Sequence, residues 1–107
     1  MSVVVLTQKE VEALLPVTEC LPVMAEALAA LARGEVHQPL RMIVRPPGAL
    51  GLMALMPAYK GGAPPLFGLK SIGVFHGNVA KGKDAHQGSV MLFSGETGEL
   101  LALMNAS

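Results

Sequence analysis

Apolar residues fall in short runs along this chain, and the period within them changes once, at Gly34. Before it the runs read mostly as helix. "VVVL" at 3–6 is short and β-branched, which predicts an opening strand. "TQKE" follows, a Ser/Thr-x-x-Glu capping box with Thr7 at the N-cap and Glu10 at the third helical position. Val11, Leu14 and Leu15 give this short helix an apolar face, and Pro16 closes it. Thr18 is expected to open a second helix running to about Arg33. Its buried stripe is expected at Leu21, Met24, Ala25, Leu28 and Leu31, with Ala32 beside them. Pro22 fits the first turn of that helix, where a missing N–H costs nothing, and Gly34 fits its C-terminal stop.

After Gly34 the runs are strand-length: "RMIVR" (41–45), "LMALM" (52–56), "LFGLKSIGVF" (66–75), "SVMLF" (89–93) and "LLALM" (100–104). Turn-rich segments separate them, among them "PAYKGGAPP", "HGNVAKGKDAHQG" and "SGETGE". The pattern predicts one α+β domain over residues 1–107. An N-terminal strand and two helices pack on a mostly antiparallel sheet of about five to six strands.

Composition narrows the setting. Hydrophobic residues make up 51% of the 107 positions and charged ones 15%, too apolar for disorder and greasy for a small free monomer. Some apolar surface is therefore expected under a partner, most simply in a homodimer. The formal net charge is zero and aromatics are 4%, so neither the basic field nor the stacking platforms of a nucleic-acid binder are present. A lone cysteine, Cys20, permits no internal disulfide, and no signal-like N-terminus or spanning-length apolar run occurs. Cytoplasmic residence without membrane association is the expectation.

Three stretches of the sequence carry candidate chemistry. "GNVAKGKD", 77–84, resembles a phosphate-cradling G-x-x-x-x-G-K loop, but Asp84 stands where Ser or Thr would meet Mg²⁺ and a strand-like run follows in place of a helix. His37, His76, His86 and Cys20 have no metal-ligand spacing. Lys70 is different. In the strand "FGLKSIGV" the period of two puts it on one face with Gly68, Ile72 and Val74, where a charge needs an anion or water-filled space. One explanation is an edge-strand lysine that blocks aggregation. The other is a cleft cation awaiting a carboxylate, joined by Arg41 from an adjacent strand, with Gly68 and Gly73 allowing close approach.

The ordered set "QPLRMIV … LMPAY … LKSIGVFHGN … HQGSVMLFSGETGELLALMN" resembles the N-terminal domain of the ornithine cyclodeaminase/mu-crystallin family, over essentially the whole chain. The resemblance implies the substrate-binding and dimerisation part of an enzyme that transfers hydride between NAD(P) and the α-carbon of a small amino or imino acid. It implies that Arg41 and Lys70 bind the substrate carboxylate and that Met56, His86 and Gln87 line the cleft. Ala54 stands where ornithine cyclodeaminases of this family tend to carry an acid, which points towards ketimine reductase-like or alanine dehydrogenase-like members. The family's G-x-G-x-x-G and catalytic acid are not in these residues. The expectation is therefore a chain with no cofactor of its own, inactive alone and served by a Rossmann domain in cis or trans. The alternative is a stand-alone, non-catalytic dimeric module or small-carboxylate binder.

Overall fold

The computed structural model describes residues 2–107. Strand β1 (Val4–Leu6) leads through helix α1 (Gln8–Leu14) and helix α2 (Val17–Ala32) to two short strands, β2 (Val36–His37) and β3 (Met42–Val44). Four longer strands follow: β4 (Leu52–Lys60), β5 (Leu66–Val74), β6 (His86–Ser94) and β7 (Leu100–Asn105), with a 3₁₀ segment at His76–Lys81. They form one sheet of seven strands in the order β1-β7-β6-β5-β4-β2, with β3 also on β4. Strands β4 to β7 are an antiparallel meander, and β1 runs parallel to β7. The α+β class stands. The strand count exceeds the expected five to six because β2 pairs with Tyr59 and Lys60.

The helix boundaries follow local chemistry. Glu10 N–H donates to Thr7 Oγ1 at 3.3 Å and Thr7 N–H to Glu10 Oε1 at 3.2 Å, so the expected capping box is present. At the end of α2, Glu35 N–H donates to the Ala30 carbonyl and Gly34 N–H to that of Leu31, a Schellman closure with Gly34 at φ +77°.

Three details of the helical region depart from expectation. Pro16, with its fixed φ of −64°, is the N-cap of α2, so Thr18 lies inside the first turn and caps nothing. That earlier start moves Pro22 into the helix interior, where it costs one backbone bond. Most consequentially, the α2 stripe is not buried: Leu21, Met24, Leu28 and Leu31 are exposed, and Ala30 is the helix's one buried residue. The helix packs on β2 at the sheet edge and leaves a cavity of about 410 Å³ between Met24, Leu28 and Leu31 and the sheet residues Ala58, Leu66 and Gly68.

The strands also run further than expected. β4 continues through "PAYK", which was expected to open a turn. Pro57 is tolerated there because it pairs with Leu69 on one side and on the other faces residues between β2 and β3, which form no ladder. β6 starts at His86, three residues early, because the ladder with β5 extends to the Val74–His86 pair. The segment after Lys83 is thus strand, and no helix N-terminus is available to hold a phosphate.

The molecule is open. Its radius of gyration is 15.5 Å, against about 13 Å for a compact chain of this length. It exposes 7678 Å², roughly 2,000 Å² more than a monomeric protein of its mass. Among the described residues only Ala30 and Ala54 are fully buried apolar side chains.

A cation pair on an apolar sheet

Lys70 sits near the middle of β5, the fourth strand along the six-strand path of the sheet. It is therefore not an edge lysine. Its register partners are Met56 on β4 and Val90 on β6. The row on one side is Ala58, Gly68 and Leu92, and the row on the other is Ala54, Ile72 and Gly88. Lys70 is thus the centre of a three-by-three block of side chains on one sheet face, and the eight positions around it are all apolar or glycine. The ammonium stays hydrated because the side chain is exposed.

Arg41 precedes β3 by one residue. Continuing the Met42–Leu55 register sets it opposite Met56, in the same row as Lys70. Arg41 and Met56 also line one small cavity of about 220 Å³ with Gln38, Pro39, Leu40 and Pro57. The two cations were expected on adjacent strands. In the structure β4 lies between β3 and β5, so their backbones stand two strand spacings apart, about 10 Å. Both side chains are long, and Met56 is the floor between them. A fork and a point charge approaching from opposite sides suit a carboxylate. Among the described residues the two recorded ion pairs both belong to Arg33, with Glu26 and Glu35 at 2.8 Å each, so neither Lys70 nor Arg41 has an acidic partner in the fold.

The other candidates separate. His86 shares the face of Lys70 but pairs with Val74 at the strand end, four residues from Val90 and about 13 Å along β6. Gln87 points to the opposite face by alternation. Its amide donates to the Asp84 carbonyl at 3.0 Å, and it lines a polar cavity of about 690 Å³ with Gln8, Asn78, Lys83 and Asn105. Of the two glycines, Gly68 leaves the floor beside Lys70 open, since an added Cβ would meet only a carbonyl at 3.9 Å. Gly73 instead lies under the Phe75 ring, with 3.0 Å available to a Cβ, and opens nothing. Val90 was missed by sequence reasoning, because only the β5–β6 register places it against Lys70.

These residues do not build a dinucleotide site. The one parallel pair among the described residues is β1 with β7, there is no strand–helix–strand crevice, and the sequence has no G-x-G-x-x-G. No group of three or more His, Cys, Asp or Glu among the described residues could hold a metal ion.

The architecture is an open antiparallel meander with two N-terminal helices, carrying Arg41 and Lys70 over an apolar floor. Its lineage is specific: the chain belongs to the ornithine cyclodeaminase/mu-crystallin family, whose model matches residues 1–107. It is 32% identical to the ketimine reductase mu-crystallin of Rattus norvegicus over 90 residues, covering 81% of this chain and 28% of that protein. An archaeal alanine dehydrogenase, solved as a dimer with bound NAD, superposes with a TM-score of 0.88 at 33% identity, covering 99% of this chain and 32% of the other. The Thermococcus litoralis Δ1-pyrroline-2-carboxylate reductase, in complex with NADH and L-proline, gives 0.87 at 26% identity over 95% and 31%. The chain thus spans about a third or less of these relatives.

Proposed function

We propose that this chain is the substrate-carboxylate-binding and dimer-forming part of an NAD(P)-dependent amino-acid or imino-acid oxidoreductase or cyclodeaminase. Arg41 and Lys70 grip the carboxylate, and Met56 lies beneath it. The nicotinamide that exchanges hydride with the α-carbon is held by a nucleotide domain outside these 107 residues, in cis or in trans. The observation that carries this is Lys70: a cation in a central strand, ringed by apolar positions, with no acidic partner among the described residues. Relatives solved with NAD or with NADH and L-proline support the reaction class.

The dimer follows from the opposite face of the sheet. Met42, Val44, Met53 and Phe67 lie there, between 47% and 61% exposed, and no helix covers them. The excess surface exceeds the roughly 800 Å² per partner of a standard interface, and a second copy packing sheet against sheet would remove it.

The test is titration of the chain with a small carboxylate such as L-proline, followed by amide chemical shifts. Lys70→Ala is expected to weaken binding more than tenfold, from the loss of about 2 kcal/mol of charge-assisted hydrogen bonding, while leaving the melting temperature within error. A sharp loss of thermal stability with binding intact would make Lys70 structural. A second reading is a small-carboxylate binder without catalysis, which the same unpaired cations over an apolar floor would serve. Restored hydride transfer on adding a separately encoded nucleotide domain would eliminate it.

A further inference from the structure

We propose that this site takes an amphipathic carboxylate: Arg41 and Lys70 meet its hydrated head, and its aliphatic tail runs over Gly68 into the cavity beneath α2. The proposal rests on the clamp reading above and adds the class of ligand body that the clamp serves.

Two cavities adjoin on the Lys70 face. The smaller, about 220 Å³, is the one that Arg41 and Met56 line with Gln38. The larger, about 410 Å³, lies between α2 and the sheet and has Gln38 in its wall as well. Its floor includes Ala58, Gly68 and Leu92, the row next to Met56, Lys70 and Val90 in the register of β4, β5 and β6. Gly68 and Lys70 are two residues apart on β5, so this floor begins about 7 Å along the strand from the Lys70 backbone. The passage is open, because a Cβ built at Gly68 would meet nothing nearer than the Met91 carbonyl at 3.9 Å.

The larger cavity suits a tail. Met24, Leu28 and Leu31 wall it from α2, and Leu66 and Leu92 from the sheet. The three α2 side chains are between 41% and 62% exposed, so an entering tail removes water from them as well as from itself. The head keeps its water, since Lys70 is exposed. The gain therefore comes from the tail, at about fourfold in affinity for each methylene buried. A body as short as that of propionate stays at the clamp and gains none of it. The other apolar cavity, about 360 Å³, has neither Arg41 nor Lys70 in its wall, and its rings, Tyr59, Phe67 and Phe93, lie on the opposite face by alternation.

The experiment titrates propionate and octanoate into the full chain at neutral pH and follows the amide shifts of Gly68, Lys70, Leu92, Ala27 and Leu28. Octanoate is expected to bind at least tenfold more tightly, and it alone should shift the two α2 amides. Lys70→Ala should weaken both acids at least tenfold. Ala27→Trp fills the cavity from an exposed helix position, and Leu28→Asp sets a carboxylate in its wall. Each should bring octanoate to within threefold of propionate and leave propionate as it was. Equal binding of the two acids to the unaltered chain, still dependent on Lys70, would overturn the tail cavity and leave the clamp standing. An octanoate preference that survives both substitutions in folded protein would put the tail elsewhere and overturn the proposal. Binding of neither acid, or binding indifferent to Lys70→Ala, would overturn the clamp and the proposal with it.

Discussion

The two faces of the sheet are built from the same strands and read out opposite fates. On one face α2 stands at the edge, and Lys70 and Arg41 interrupt an otherwise apolar field. On the other, Met42, Met53 and Phe67 are exposed with no charge among them, and Tyr59 and Phe67 stack with ring centroids 4.7 Å apart. Alternation along each strand sorts the residues, so a single β4 or β5 serves both surfaces at once. A charge on the first face is compatible with a solvated cleft. The exposed apolar residues of the second face, Met42, Val44, Met53 and Phe67, are of the kind that marks interfaces. The comparison teaches that one sheet presents two chemically different surfaces, one bearing cations and the other an exposed apolar cluster.

The largest expected effect breaks the second face. Phe67→Asp would bury an unpaired carboxylate between two sheets, at a cost on the order of 3 kcal/mol, or more than a hundredfold in dimer dissociation. Light scattering at micromolar concentration should then report half the wild-type mass. If wild type is already monomeric, the assignment of that face is wrong. Lys70→Ala should leave the mass untouched while abolishing ligand response, which is the reciprocal result.

A smaller effect tests the helix at the edge of the cation face. Gly34→Ala puts a β-carbon on a residue at φ +77° with nothing within 4 Å, so its cost is purely conformational, about 1 kcal/mol. Gly77→Ala meets open space as well but has no left-handed backbone, and it should leave the melting temperature nearly unchanged. Equal effects of the two would remove the Schellman closure as an anchor of α2.

The smallest effect lies in the ion pairs that follow α2. The hydrogen bond that Arg33 donates holds the Glu35 carboxyl below its ordinary value, and the same bond, with the one Arg33 donates to Glu26, raises Arg33. A carboxyl lowered in the folded state contributes stability above its unfolded value and loses it as the pH falls through the folded one. The difference in melting temperature between wild type and Arg33→Gln should therefore be small at neutral pH, begin to shrink as the pH falls past about 4.5 and vanish below the lowered folded value. A difference that grows on acidification would refute the pairing. All three groups are exposed, so salt should shrink the effect too.

Much of the fold was legible in the chain. "TQKE" specifies a capping box through two reciprocal hydrogen bonds within four residues, and Gly34 specifies a stop because few other residues tolerate its backbone. The hairpin at "GETG" is equally local: Ser94 Oγ accepts from the N–H groups of Glu96 and Thr97, and Gly98 takes φ +78°. The site was half legible. A lysine amid aliphatic residues is conspicuous in any strand, and family likeness singles out Arg41. The misplacements of Gln87 and of the α2 stripe have one origin. Each depended on which face of which element meets which neighbour, and a run of apolar residues says only that something must cover it.

The sequence by itself determined most of the elements, the capping box of α1, the glycine stop of α2 and the GETG turn, because each rests on interactions among residues a few positions apart, and its ordered motifs carried the family. Only the tertiary structure decided that Lys70 is central, that Met56 and Val90 flank it, that β4 divides it from Arg41, and that α2 stands away from the sheet. Those depend on strand register and order, in which a shift of one residue turns every side chain to the other face while leaving the local pattern unaltered.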